Sequence, residues 1–172
     1  MKQIIFTAFT AFLAIWLEIS LANLGVIVPL VMFQAFYVTV VRKWRWGVIT
    51  AFILCAPLDS LLGYISLPAV ISVVIIASFW RKIGDCSRVE LQVLPVSFSM
   101  TVGVLILFVA TILKYDGYIQ WFYWGAQFTA AVVITAFCAP FIIKFQDLLA
   151  DKLQISTYSQ IQREEFYSAA DK

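Results

Sequence analysis

Histidine is absent from this chain of 172 residues, and charged residues make up only 13% of it. The first absence removes the commonest general base and the commonest neutral metal ligand together. The second accompanies a hydrophobic share of 63% and a mean hydropathy of +0.94, and it excludes an ordinary water-soluble domain, whose surface would need far more polar side chains. Cysteine is scarce as well. Cys55 and Cys138 fall inside apolar runs and Cys86 in a basic loop, a distribution that builds neither a disulfide framework nor a metal knuckle. No G-x-S-x-G, Walker or G-x-G-x-x-G segment occurs, so a nucleophile elbow and a phosphate cradle are both lacking. Gly84-Asp85 and Tyr115-Asp116 carry the dipeptides of intramembrane aspartyl proteases, but in reversed order and in loops. The sequence therefore predicts a protein that is not an enzyme and holds no cofactor or metal. A net charge of +2 gives no reason to expect nucleic acid.

What the chain does have is long apolar runs, and they predict an all-α integral membrane protein. Six spans are the natural parse, at about 3–22, 24–41, 47–62, 64–80, 91–113 and 119–143, with a cytoplasmic tail over 144–172. The block 47–80 carries only Asp59; as one helix it would be roughly 50 Å long against a hydrocarbon core of about 30 Å. It is expected to fold back around Gly63, with Pro57 and Pro68 loosening helical continuity on either side. Its two arms are short for spans.

The distribution of cations supports that parse. Of the twelve Lys and Arg residues, Lys2, Arg42, Lys43, Arg45, Arg81, Lys82, Arg88, Lys144, Lys152, Arg163 and Lys172 fall on one side, leaving Lys114 alone on the other. The positive-inside rule makes the shared side cytoplasmic, with both termini inside. Trp44, Trp46 and Trp80 then mark the inner edge and Trp121 and Trp124 the outer one, where amphipathic indoles prefer to lie. Trp16 falls outside this pattern and is expected to pack between helices. The first run is too long for a cleaved secretory signal and is expected to be retained.

Two acids lie inside the spans. Glu18 stands four residues from the outer end of the first and Asp59 three from the outer end of the third, hence at similar depth. Two kinds of use are open to them: meeting a donor from a partner helix or lining a small polar cavity facing the outside, or else being hydrated at the interface, protonated, or tied to nearby backbone and to Ser60, Ser66 or Gln127. Gln34 and Gln127 are mid-span amides that fit interhelical hydrogen bonding. Thr7/Ala11, Thr10/Ala14, Gly125/Thr129 and Ala126/Ala130 form small-residue pairs at helical spacing, expected to serve close packing within the bundle. After Lys144, the residues Phe145, Leu148, Leu149 and Leu153 keep helical spacing, so the sixth helix is expected to continue as an amphipathic stretch, followed by a polar segment with Arg163, Glu164 and Glu165.

The order of these features resembles the rod shape-determining MreD family. Pro29 opens a second span ending in Phe36 and Tyr37, a short basic loop follows from Arg42 to Arg45, and the third span ends A-P-L-D-S-L-L-G, Ala56 to Gly63, an acid followed four residues later by glycine. Glu18 lies in L-E-I, Leu17 to Ile19, where relatives often have Leu-Gln. Glycines that the family often places along the third span appear here as Ile49, Ala51 and Cys55, which implies looser packing of that helix. The resemblance implies a non-catalytic scaffold and regulator of cell elongation in the bacterial inner membrane. Its partners would be a bitopic MreC-like protein, MreB filaments, and the peptidoglycan polymerase and transpeptidase of the rod complex. The basic loops Arg42, Lys43, Arg45, Arg81, Lys82 and Arg88 would face filaments or anionic lipid. The alternative is the substrate-binding S-component of an energy-coupling-factor vitamin transporter, which shares the small six-helix plan.

Overall fold

The computed structural model describes residues 2–63, 65–83, 89–114, 121–155, 157 and 160, with side chains for all of these except 81–83, 89–93 and 121–124. Six α-helices account for nearly all of them: α1 (Lys2–Asn23), α2 (Leu30–Arg42), α3 (Trp44–Leu62), α4 (Leu67–Ile83), α5 (Val89–Lys114) and α6 (Trp121–Lys152). Within α1, α3, α5 and α6 lie stretches long and apolar enough to cross a membrane, namely Lys2–Asn23, Trp44–Leu62, Leu94–Lys114 and Gly125–Lys152; α2 and α4 are apolar but shorter.

The arrangement explains how short helices are accommodated. α2 lies at the centre, with every residue from Val31 to Val40 buried, and its 13 residues touch α1, α3, α4, α5 and α6. A helix of 13 residues is about 20 Å long, less than the thickness of the hydrocarbon core, but one enclosed by protein need not match lipid. The outer helices instead turn large apolar side chains outward: Phe12, Phe52, Phe79 and Phe137 are among the most exposed residues. That inversion is expected where the surroundings are hydrocarbon.

Several boundaries differ from the sequence-based expectation, each for a local reason. The second apolar run does not become helical at residue 24. A turn carries the chain through Gly25, whose φ of +77° suits glycine, and residues 26–29 stay irregular because Pro29, at the N-cap of α2, cannot donate a helical hydrogen bond. α3 begins at Trp44, inside the basic tetrad, because Lys43 at φ +84° makes the corner between α2 and α3. Trp16 does not pack between helices; it is 60% exposed on the outer face of α1. The fold-back in 47–80 occurs at Gly63, the left-handed C-cap of α3, and Pro68 sits in the first turn of α4, where proline is tolerated.

α6 is helical well past Lys144, as the spacing of its apolar residues predicts, and runs to Lys152. That stretch packs on the bundle. Gln146 and Ala150 are buried against it, while Phe145, Leu148 and Leu153 face outward. Packing of α3 is also tight despite its missing glycines. Gly47, Ala51 and Cys55 recur every fourth residue on its buried face, and a side-chain carbon at Gly47 would collide with Thr39 of α2. The small pairs on α6 behave differently from expectation: Gly125, Ala126, Thr129 and Ala130 are exposed.

Candidate functional site

The polar groups buried among these helices fall into three sets, each joining elements distant in sequence. The first starts at Glu18, on the inner face of α1 and 6% exposed. Its Oε2 accepts a hydrogen bond of 2.8 Å from the backbone N–H of Val31, in the first turn of α2. The opening turn of a helix leaves donors without intrahelical partners, and inside a membrane water is not at hand to satisfy them. Here all three are met: Leu30 N–H donates to the Val28 carbonyl, Val31 N–H to Glu18, and Met32 N–H to the Pro29 carbonyl. Glu18 is thus a helix cap supplied by a neighbouring helix.

The second set repeats the device one hairpin later. Asp59 Oδ1, near the end of α3, accepts from both the backbone N–H (2.8 Å) and the hydroxyl (2.6 Å) of Ser66, whose own carbonyl accepts from Val70 N–H to open α4. The Gly63 N–H returns to the Asp59 carbonyl, closing the corner, and Lys114 Nζ at the end of α5 donates to the Gly63 carbonyl at 2.8 Å. Each acid therefore sits near the end of a long helix and fastens the start of a short one. Of the partners considered from sequence for Asp59, Ser66 is the one used; Ser60 bonds instead to the Pro57 carbonyl.

The third set crosses the middle of the bundle. Thr10 on α1 donates its hydroxyl to the Phe6 carbonyl and accepts from Gln34 Nε2 at 2.8 Å, and Gln34 Oε1 accepts from Gln146 Nε2 at 2.8 Å. Gln34, 1% exposed, is therefore the interhelical link its position suggests, joining α1, α2 and α6. One turn further along α2, the Tyr37 hydroxyl donates to Asp147 Oδ1 at 3.1 Å and its ring leans on Phe6. Sequence reasoning misses Gln146 and Asp147, because both follow Lys144, where the last apolar run ends. A signal was available: Gln146 and Ala150 lie four residues apart along the edge of the apolar stripe, next to Leu149 and Leu153, the spacing of one continuous bundle-facing side.

Basic residues of the α2–α3 corner lie against indoles, Arg42 over Trp46 with its guanidinium carbon 5.3 Å from the ring centroid and Arg45 over Trp44 at 5.9 Å. Such pairs suit a headgroup layer, where cation and aromatic ring both find partners. Gln3, Arg42 and Ile155 line one small cavity, so the start of α1, this corner and the end of α6 meet at one end of the bundle. Arg88, Cys86, Asp85, Tyr115, Asp116 and the distal tail lie outside the described residues, as do the side chains of Arg81, Lys82, Trp121 and Trp124. Among the described residues no group of His, Cys, Asp and Glu could hold a metal ion. Comparison with family models, with curated proteins and with solved structures finds no match.

Proposed function

We propose that this chain is a non-catalytic scaffold and regulator of the bacterial cell-elongation complex, similar to MreD, crossing the inner membrane six times with both termini in the cytoplasm. It binds an MreC-like bitopic protein and links MreB filaments to the peptidoglycan polymerase and transpeptidase. The observation that carries this reading is the use of its acids: Glu18 is spent on Val31 and Asp59 on Ser66, so the carboxylates that a transporter or protease would turn toward a substrate hold helices in place. The meeting of the N-terminus, the Arg42 corner and the end of α6 at one end of the bundle supports an even number of crossings.

Deletion in a rod-shaped host tests the role. Rounded cells, restored by a plasmid copy, are expected, together with co-purification of a single-pass protein bearing a large external domain. Rod-shaped deletion cells and a vitamin retained by the purified chain would replace this reading with the transporter S-component. A reporter fused after Lys172 is expected to signal from the cytoplasm; a periplasmic signal overturns the topology.

A further inference from the structure

No acid occurs in the chain between Glu18 and Asp59, yet the same stretch holds Arg42, Lys43 and Arg45 within four residues. These three form the corner between α2 and α3, Arg42 half-buried and the other two exposed. Glu18 and Asp59, the flanking acids, are taken up by Val31 and Ser66. Among the described residues none of the three cations has an ion-pair partner, and neither guanidinium donates a hydrogen bond to the protein. Charge of one sign gathered in this way and left uncompensated by its own chain attracts an anion from outside.

Geometry narrows the source of that anion. Arg42 lies over Trp46 and Arg45 over Trp44, so each guanidinium is seated on an indole while its N–H donors stay available for a phosphate, which arginine grips with paired bonds. The rings themselves are 46% and 56% exposed, Trp46 and Trp44 in turn, as suits indoles at the headgroup level of a bilayer. Beyond them the surface becomes apolar at once. Ile49, Phe52 and Ile53 follow Trp46 along α3 at helical spacing and are exposed, a track continuous with the charged corner. Lys43 adds a further pointer, because a side chain held at φ +84° and ψ 159° is strained, and such strain gathers at sites that bind. Cations that suit a phosphate, joined to a track that suits an acyl chain, match a phospholipid better than a free phosphate or the acidic face of a filament.

We propose that the α2–α3 corner is a binding site for an anionic glycerophospholipid of the phosphatidylglycerol kind. Arg42 and Arg45 hold the phosphate, Lys43 adds to the field, Trp44 and Trp46 seat the two guanidiniums, and an acyl chain lies along Ile49, Phe52 and Ile53. A zwitterionic headgroup would bring its own ammonium into the field of three cations, so a lipid of net negative charge is selected. The site requires only that the corner lie at a membrane surface and stands apart from the elongation role.

The test uses the full chain in nanodiscs of phosphatidylcholine holding a minor fraction of phosphatidylglycerol brominated in the upper part of its chains, which quenches tryptophan on contact. Quenching at the corner is the difference from the Trp44→Phe/Trp46→Phe form, and brominated phosphatidylcholine at the same fraction is the reference. The wild-type chain is expected to prefer the anionic lipid about five- to thirtyfold, the range for one to two cations at an anionic surface. Arg42→Lys/Arg45→Lys keeps every charge but loses both planar forks, and is expected to lower that preference about threefold or more. Arg45→Lys alone, at an exposed position, is expected to act in the same direction and carries the test if the double variant does not fold. Lys144→Gln, one exposed cation fewer on α6, should leave the preference unchanged. Equal quenching by the two lipids, a preference undiminished in the arginine-to-lysine variants, or an equal loss in Lys144→Gln would overturn the proposal. So would binding of a cytosolic filament that those variants abolish while the lipid preference stays. The lipid assay contains no partner of the rod complex, so its failure and a failure of the elongation role are read separately.

Discussion

Asp59 accepts two hydrogen bonds from Ser66 through a single carboxylate oxygen, 2.8 Å from the backbone nitrogen and 2.6 Å from the hydroxyl. The seven-residue reach from a helix end, over a glycine corner, to the cap of the next helix fixes the direction in which α4 leaves. Asp59→Asn keeps an acceptor in place and is expected to cost little. Asp59→Leu strands the Ser66 N–H and hydroxyl and should lower stability by about 2 to 3 kcal/mol. Thermal unfolding of the detergent-solubilised protein, followed by circular dichroism, separates the two. Equal losses would show that the carboxylate does not hold the corner.

Glu18 gives a parallel test. Glu18→Gln retains the oxygen that Val31 needs, whereas Glu18→Leu leaves that N–H without a partner in the core, a loss of about 1 to 3 kcal/mol. Hydrogen exchange at Val31 is the direct readout: markedly faster exchange is expected in the Leu variant and near-native protection in the Gln variant.

Lys43 carries the opposite expectation. Its φ of +84° and ψ of 159° fall in a region that glycine occupies freely and side chains rarely do, so the corner is strained where it stands. Lys43→Gly is expected to raise stability by about 1 kcal/mol, and Lys43→Val to lower it by at least as much. Unfolding midpoints of the three proteins in the same detergent decide the matter, with a lower midpoint for the glycine variant counting against strain at this position.

At Gly47 and Gly103 neighbouring helices approach closely. A side-chain carbon at Gly47 would meet Thr39 and Val74, and one at Gly103 would meet Val73 and Met32. Leucine at either position forces α3 from α2, or α5 from α2 and α4, and should cost about 1 to 3 kcal/mol. Gly125→Leu, with nothing within 4 Å, is the control and should be silent in the same assay.

Much of this architecture is legible in the sequence because hydrophobic run length and cation placement are coarse signals that packing does not disturb. The helical class and the corner at Gly63 follow from them, and the interhelical use of Gln34 from an amide standing in the middle of a span. What the sequence conceals is depth. Glu18 reads as an acid close to a membrane surface, yet its partner lies thirteen residues on, beyond a turn that nothing in the hydropathy separates from a span. Gln146 and Asp147 read as tail residues because Lys144 looks like a terminus; only the position of α2 shows that the helix still has bundle to cover. Small residues mislead for a related reason. Gly47, Ala51 and Cys55 face the core and Gly125, Ala126 and Thr129 do not, and spacing alone is the same for both.

Because α2 is sheathed by protein along almost its whole length, a thicker or thinner bilayer has nothing on it to grip. Mismatch must be absorbed by the outer helices, which can tilt about this pin only as far as Glu18, Gln34 and Tyr37 allow. Lipid composition therefore reaches the centre of the molecule through those tethers, which join α2 to α1 and α6, two neighbours that make little direct contact with each other.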